Sequence, residues 1–366
     1  MFKNLIAFRI GPQWSESLDS VNDKLERARF APCGASEPKS FGWVEPRGEP
    51  ESALAEAIDG HWILKFKIET KVVPGSVVAR KTDERKAQIE AETGRKPGKK
   101  ETRELKEAIT LELLPMAFSK LSTVTVWIDT RARRLLLDTT SQAVIDDVVT
   151  CLIKQLDGLA LAPIHTAQSP SAAMASWLVS QEAPAGFSVD RECELKATDD
   201  SKAVVRYANH ALDIDEVREH IAQGKQPTRL AMTWGDRVSF VLNDTLQLKK
   251  VSFLDGVFEK SGAGRDEGFD ADVAIATGEL SRMLPDLIDV LGGEAEGMGG
   301  AAPATKDKAQ GKPDETERNT AKSQGDAAAA ADGQGRDRDA ERLASDAARN
   351  TGTAEREPIG VAPGVS

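Results

Sequence analysis

Two groups of acidic residues in the C-terminal half of the chain have the side chains that metal-dependent phosphodiester cleavage requires. Asp190 and Glu194 are followed by a lysine, and two carboxylates with a lysine can hold Mg²⁺ and orient an attacking water. The second group is Asp270 and Asp272, with Glu279 further along the chain. Short acidic pairs at strand ends are also common as solvated or capping groups, and this simpler interpretation is favoured. A metal-dependent nuclease using Asp270, Asp272 or Glu194 therefore stays an alternative hypothesis.

Other catalytic chemistry has little support in the sequence. There is no His-Glu-x-x-His helix, no Cys-x-x-Cys pair and no Gly-x-Ser-x-Gly elbow, so neither a transition-metal site nor a serine nucleophile is indicated. The histidines and cysteines are scattered singly along the chain: His61, His165, His210 and His220, and Cys33, Cys151 and Cys193. We expect a protein with no catalytic residues, no metal and no cofactor.

Positive charge is concentrated in one part of an acidic chain. The net charge of the 366 residues is −11, yet residues 63–134 carry 17 Lys and Arg against 10 Asp and Glu, a net of +7. The neighbouring segments, 1–62 and 135–296, have net charges of −3 and −13. Such asymmetry is typical of a fold that presents one positive surface to a polyanion.

The basic block predicts sequence-independent contacts with nucleic-acid phosphates. Its centre, residues 95–100, has cations that few neighbouring acids can neutralise. Two alternatives stay open: a solvated helical surface with internal pairs such as Lys100 with Glu104 and Arg103 with Glu107, or an arm that docks a protein. The candidate DNA-binding residues are Lys65, Lys67, Lys71, Arg80, Lys81, Arg85, Lys86, Arg95, Lys96, Lys99, Lys100, Arg103 and Lys120.

Hairpins beside helices, without a βαβ rhythm, predict an α+β fold with antiparallel sheets and flanking helices. We divide the chain into an N-terminal α+β part, 1–75, a projecting helical hairpin, 76–121, and a second α+β part, 122–296. Within these parts the patterns predict a short helix over 51–58, a kink at Pro115, and a hairpin with a two-residue type II′ loop at Gly235 and Asp236.

The last segment, 297–366, has no aromatic residue and is predicted to be disordered, because it cannot bury enough apolar surface to offset chain entropy. An odd number of unpaired cysteines, no apolar signal region and no long apolar run favour a soluble cytoplasmic protein.

Several separate motifs resemble the recombination-associated protein RdgC family. They occur in the family's order across residues 1–296, and none of them is catalytic. The motifs are Phe2-Lys3-Asn4-Leu5, Pro32-Cys33-Gly34, Gly42-Trp43-Val44, Leu113-Leu114-Pro115, Ala117-Phe118-Ser119, Trp127-Ile128-Asp129-Thr130, Phe269-Asp270-Ala271-Asp272 and Thr277-Gly278-Glu279-Leu280.

The resemblance implies a horseshoe-like subunit that dimerises into a ring around double-stranded DNA, with single-stranded DNA as a further candidate ligand. It implies a nucleoid-associated protein that binds DNA with little sequence preference and restrains strand exchange by RecA. Phe118 matches an aromatic position in the family's dimer contacts, although it could instead pack within its own subunit. Met116 departs from the family pattern, which has arginine there, and the pattern does not extend to the tail.

Overall fold

Apolar residues spaced for strands and amphipathic helices give an α+β fold, which confirms the predicted class. A computed structural model describes residues 2–254, 256–257 and 265–295, for 265–267 without their side chains. These residues form seven α-helices and two antiparallel sheets. The tail predicted to be disordered, 297–366, lies outside the described residues.

The first sheet has seven strands in the order β2-β4-β5-β6-β1-β7, and β3 also pairs with β4. β2 and β3 pair with different halves of β4, because β4 is twice as long as β2. The strands are β1 (Ile6–Ile10), β2 (Lys39–Val44), β3 (Ala55–Ile58), β4 (His61–Val72), β5 (Phe118–Asp129), β6 (Arg134–Leu137) and β7 (Leu161–Pro163).

The second sheet has five strands in the order β12-β11-β10-β8-β9. These strands are β8 (Phe187–Ala197), β9 (Val204–Ala208), β10 (Lys225–Trp234), β11 (Val238–Asn243) and β12 (Leu248–Phe253). The helices are α1 (Leu18–Leu25), α2 (Gly75–Thr93), α3 (Lys99–Leu113), α4 (Gln142–Gln155), α5 (Pro170–Ser180), α6 (Asp215–Ala222) and α7 (Arg265–Val290).

Alternation along the strands places a separate hydrophobic core on each face of the first sheet. Val126 and Ile128 of β5 enter a core shared with α1 and α4, whereas Trp127, between them, enters a core shared with the second sheet, α5 and α7. Trp127 is fully buried, and burial of an aliphatic or aromatic side chain of this size stabilises the fold by about 1.5–3 kcal/mol.

The helical hairpin of α2 and α3 is inserted between two strands that are direct neighbours. β4 and β5 pair along their whole length, from His61 opposite Asp129 to Val72 opposite Phe118. The chain leaves β4 at Val72 and returns at Phe118, so the hairpin begins and ends at one point on the sheet. It follows that residues 118–121, the last four of the predicted hairpin segment, form the first part of β5.

Two predictions of local structure within the sheets were wrong, and turn residues explain both. The segment predicted as a helix, 51–58, ends in strand β3, which pairs with β4 through a two-residue turn at Asp59 and Gly60, both with positive φ. The hairpin of β10 and β11 is confirmed, but its connection is three residues long. Gly235 and Asp236 both have positive φ, the mark of a type I′ turn rather than type II′.

Backbone contacts join the N-terminal segment to the second sheet, and an ion pair joins β1 to the segment after α7. Leu5 and Leu248 exchange hydrogen bonds of 2.8 and 2.9 Å, which continue the second sheet onto the N-terminal segment. Arg9 forms an ion pair with Glu294, beyond the end of α7. None of the described helices is long and apolar enough to cross a membrane.

Candidate nucleic-acid interface

The helical hairpin, residues 75–113, has clear end signals. Gly94 ends α2 in the left-handed conformation, with a φ of 67°, and its amide donates to the carbonyl of Glu90 at 2.9 Å. Glu101 lies in the first turn of α3, where the helix dipole favours a negative charge. α3 is followed by a 3₁₀ turn, Leu114–Met116, which contains Pro115. The proline therefore lies at the end of the helix, and the predicted kink within it is absent.

Most of the hairpin has no part in a hydrophobic core. Thr82 is the one buried residue of α2, and α3 buries Ile109 and Leu113 near its C-terminal end. From 83 to 108 every described residue is exposed or partly exposed. The hairpin is therefore anchored at its base, and its outer side chains are available to a partner.

The hairpin is less basic than the block that contains it. α2 and α3 each carry four Lys and Arg and four Asp and Glu, so their own charges cancel. Arg95 and Lys96, in the connecting loop, leave the hairpin with a net charge of +2. The positive potential expected from the basic block is thus confined, within the hairpin, to the connecting loop and to individual Lys and Arg side chains.

Most candidate cations of the hairpin form ion pairs inside it. Exposed pairs of this kind contribute little to stability, so a phosphate can replace the carboxylate at small cost. The shortest contact in the loop is Arg95 to Glu101, at 2.8 Å. The pairs are Arg80–Glu84, Lys81–Glu112, Lys86–Asp83, Arg95–Glu101, Lys96–Glu90, Lys100–Glu104 and Arg103–Glu107.

Three hairpin cations have no acidic partner within 4 Å among the described residues. Two of them, Arg85 and Lys99, were predicted as DNA-binding residues, and the third, Lys106, was not. Lys99, Arg103 and Lys106 follow one another at helical spacing, which places three exposed cations in one stripe along α3. Lys106 could have been predicted from the sequence, because it lies in the basic block and follows Lys99 and Arg103 at helical spacing.

The three candidate lysines of β4 interact within the fold. Lys71 donates hydrogen bonds to the carbonyls of Gly34 and Ala35 at 2.6 and 2.7 Å. Lys67 lies over the ring of Phe30, with 4.7 Å from Nζ to the centroid. Lys65 donates to a backbone carbonyl, and burial lowers its pKa. Lys67 and Lys71 therefore hold the segment before β2 against the sheet, and Lys65 holds Pro46, just after β2.

The first half of β5 is an open sheet edge, which we call the edge segment, residues 118–124. β6 pairs with β5 from Val126 onward, and no described strand lies beside the edge segment opposite β4. Phe118 is 86% exposed, Leu121 is 56% exposed, and Lys120 between them has no acidic partner among the described residues. Near the same place Met116 is 72% exposed. An unpaired edge with exposed apolar side chains is a site for pairing with another chain.

The first acidic group is occupied by hydrogen bonds. Glu194 accepts from Arg206 at 2.6 Å and from Thr228 at 2.8 Å, and Arg229 lies 3.7 Å away. Burial acts to raise its pKa, but these contacts leave the pKa of Glu194 below its usual value. Asp190 accepts a hydrogen bond from Thr233. Both carboxylates therefore form contacts between strands of the second sheet.

The second acidic group lies on α7, where the carboxylates are separated. Asp270 forms an ion pair with Arg47, whereas Glu279 is buried and accepts two hydrogen bonds from Arg237 at 2.6 and 2.7 Å. The hydrogen bonds from Arg237 lower the pKa of Glu279. Asp272 is exposed. Across the described residues no three His, Cys, Asp or Glu side chains are placed to hold a metal ion.

Comparison with known proteins agrees with the motifs. A family model described as "Putative exonuclease, RdgC" matches residues 1–294. Proteins named Recombination-associated protein RdgC are similar over most of the chain: that of Dechloromonas aromatica is 43% identical over 299 residues, covering 80% of this chain and 98% of the relative. That of Cupriavidus pinatubonensis is 46% identical over 296 residues, again 80% of this chain and 98% of the relative. The chain belongs to the RdgC family.

Proposed function

We propose that this protein is a homodimeric, sequence-nonspecific DNA-binding protein of the bacterial nucleoid that modulates homologous recombination without catalysis of its own. It binds double-stranded DNA through the hairpin and restrains strand exchange by RecA by occupying the DNA. The names of the relatives support a role in recombination. The residues of the hairpin and the edge segment support the rest.

The observation that carries the proposal is the outer hairpin, which has many exposed cations and no buried side chain between 83 and 108. Two helices that bury almost no side chain contribute little to the stability of the core. We therefore infer that the hairpin serves to contact an external partner. Lysine and arginine on a helix can neutralise phosphates of any sequence and release counterions. Binding is therefore expected to depend strongly on salt and weakly on sequence.

The edge segment supports a homodimer. Two copies related by a two-fold axis present the same surface to each other, and an antiparallel strand edge is self-complementary under that symmetry. Phe118 and Leu121 would supply apolar contact, and the free backbone groups of β5 would pair across the axis. A dimer formed here brings two hairpin bases together, since Phe118 is where the hairpin returns to the sheet.

Fluorescence anisotropy of two unrelated DNA duplexes over a salt series tests the proposal. We expect similar affinities for both duplexes and a linear fall of log K with log salt, steeper by about 0.9 for each phosphate contacted. A flat salt response, or no binding at low salt, would refute DNA binding by this mechanism. A large preference for one duplex would refute the nonspecific part.

A further inference from the structure

A groove of about 490 Å³ opens beside the second sheet, and no residue of the hairpin or of the edge segment lines it. α5 contributes Trp177 and Leu178, the start of β8 contributes residues 187–191, and the loop before α6 contributes 211–213. Its volume lies in the range of about 300–1,000 Å³ that is typical of ligand sites. Neither the proposed DNA binding nor the proposed dimer uses it.

One wall of the groove is an unpaired part of β8. β9 pairs with β8 over Glu192–Lys196, so the residues of β8 before Glu192 have no described strand on that side. The amide of Gly235 donates to the carbonyl of Gly186 at 2.9 Å, so Gly186 faces the β10 side. Alternation along the strand then turns the N–H and C=O of Val189 away from β10, towards the open side.

The neighbouring backbone groups on the open side are partly used. The amide of Phe187 donates to the carbonyl of Pro184 at 3.0 Å, and the carbonyl of Arg191 accepts from the amide of His210 at 3.1 Å. Val189, between them, has no backbone partner on this side among the described residues. The groove thus offers the N–H donor and the C=O acceptor of Val189, between the turn that uses the amide of Phe187 and the contact of Arg191 with His210.

The side chains of the groove define the rest of its chemistry. Trp177 is half-buried, and Leu178 and Leu212 are buried, which gives an apolar wall. Asp190, Asp213 and Arg191 line the same groove, two carboxylates against one guanidinium. Asp213 and Arg191 are exposed and form no ion pair within the described part of the chain.

We propose that this groove binds an extended peptide of another protein, which adds to β8 as a short strand at Val189. One apolar side chain of the peptide packs against Trp177, and a neighbouring lysine or arginine lies beside Asp190 and Asp213. Backbone pairing at a sheet edge supplies affinity and side-chain pockets supply specificity in this kind of recognition. A nucleic acid is disfavoured here, because the two carboxylates repel phosphate.

Peptide selection on the full-length protein tests the proposal. A random heptapeptide library displayed on phage is selected against the protein, and the peptide with the highest affinity is synthesised with fluorescein and titrated by anisotropy. We expect an apolar residue next to Lys or Arg in the selected peptides. Asp213→Asn should weaken binding about threefold, whereas Asp200→Asn, with the same change of charge on a distant exposed turn, should leave it unchanged.

Two further changes examine the backbone pairing. Val189→Pro removes the outward N–H without removing a bond to β10, and N-methylation of the peptide removes the matching donor while leaving the protein untouched. Each should weaken binding about tenfold, and thermal melting verifies that the variant is folded. The proposal is overturned if no peptide is selected, or if N-methylation at every peptide position and Asp213→Asn leave the affinity unchanged.

Discussion

Replacing Glu101 by Gln should increase the affinity of the protein for DNA. In the hairpin loop the guanidinium of Arg95 is held by Glu101 through contacts of 2.8 and 3.3 Å, both side chains being partly or largely exposed. The contact raises the pKa of Arg95 and lowers that of Glu101, so both are charged at neutral pH. A phosphate that binds Arg95 must displace this carboxylate.

The size of the effect follows from the geometry. An exposed ion pair is a weak competitor, so its removal should tighten DNA binding by about two- to fivefold. If Arg95 then gains a phosphate that it did not contact before, the log–log salt slope should steepen by about 0.9. Anisotropy of one duplex at several salt concentrations measures both quantities.

Glu49→Gln is the matched control. Glu49 is exposed and lies in the N-terminal part of the chain, and its replacement changes the net charge by the same amount as Glu101→Gln. If Glu101→Gln and Glu49→Gln bind DNA equally, the gain comes from net charge and the competition at Arg95 is refuted. If neither variant differs from the wild type, Glu101 does not compete with phosphate for Arg95, and the prediction is refuted.

Three further predictions concern the dimer, the fold and the nuclease alternative. Phe118→Asp should weaken the dimer about tenfold or more, measured by light scattering after size exclusion. Ile153→Asp, at another exposed apolar position, on α4, should leave the dimer unchanged, and a dimer that survives Phe118→Asp would contradict the edge pairing. Glu279→Gln should lower the free energy of unfolding at pH 7 by about 2 kcal/mol in urea titrations. Because the native pKa of Glu279 is lowered from 4.5, that difference should be present above pH 5 and vanish as the pH falls through the native pKa, and a difference that persists at low pH would exclude the ion pair as its cause. Plasmid incubated with the protein and Mg²⁺ should stay intact, and cleavage that is lost in Asp272→Ala would favour a nuclease instead.

The sequence predicted the elements whose patterns are long and regular. Apolar and charged residues alternate in 61–69, which predicts a half-buried strand, and the leucine-rich segment 134–138 predicts another; these segments correspond to β4 and β6. The apolar stripe from Val144 to Leu152 predicts a helix and corresponds to α4. The prediction of a helix over 51–58 was wrong because the five apolar residues among these eight positions fit either a helix or a strand. Asp59 and Gly60 would have decided it, since an Asp-Gly pair between apolar runs is a strong hairpin signal.

The positive charge of the candidate site could be predicted from the sequence, but the contacts that its lysines form within the fold could not. Composition located the basic block, yet it could not show that Lys67 and Lys71 are used by Phe30 and by backbone carbonyls more than 30 residues away in sequence. Nor could it show that β6 pairs with only the second half of β5. That unpaired edge depends on strand lengths, which are set by tertiary pairing and not by local pattern.

The most direct test of the account is the salt slope of DNA binding after replacing two lysines of α3 that have no acidic partner in the described part of the chain. Lys99→Ala with Lys106→Ala should reduce the magnitude of the log–log slope by about 1.8 on each of two unrelated duplexes. The control pair, Lys154→Ala with Lys202→Ala, removes the same charge from exposed positions outside the hairpin and should leave the slope unchanged. Equal slopes for the two double variants would contradict phosphate binding by the hairpin.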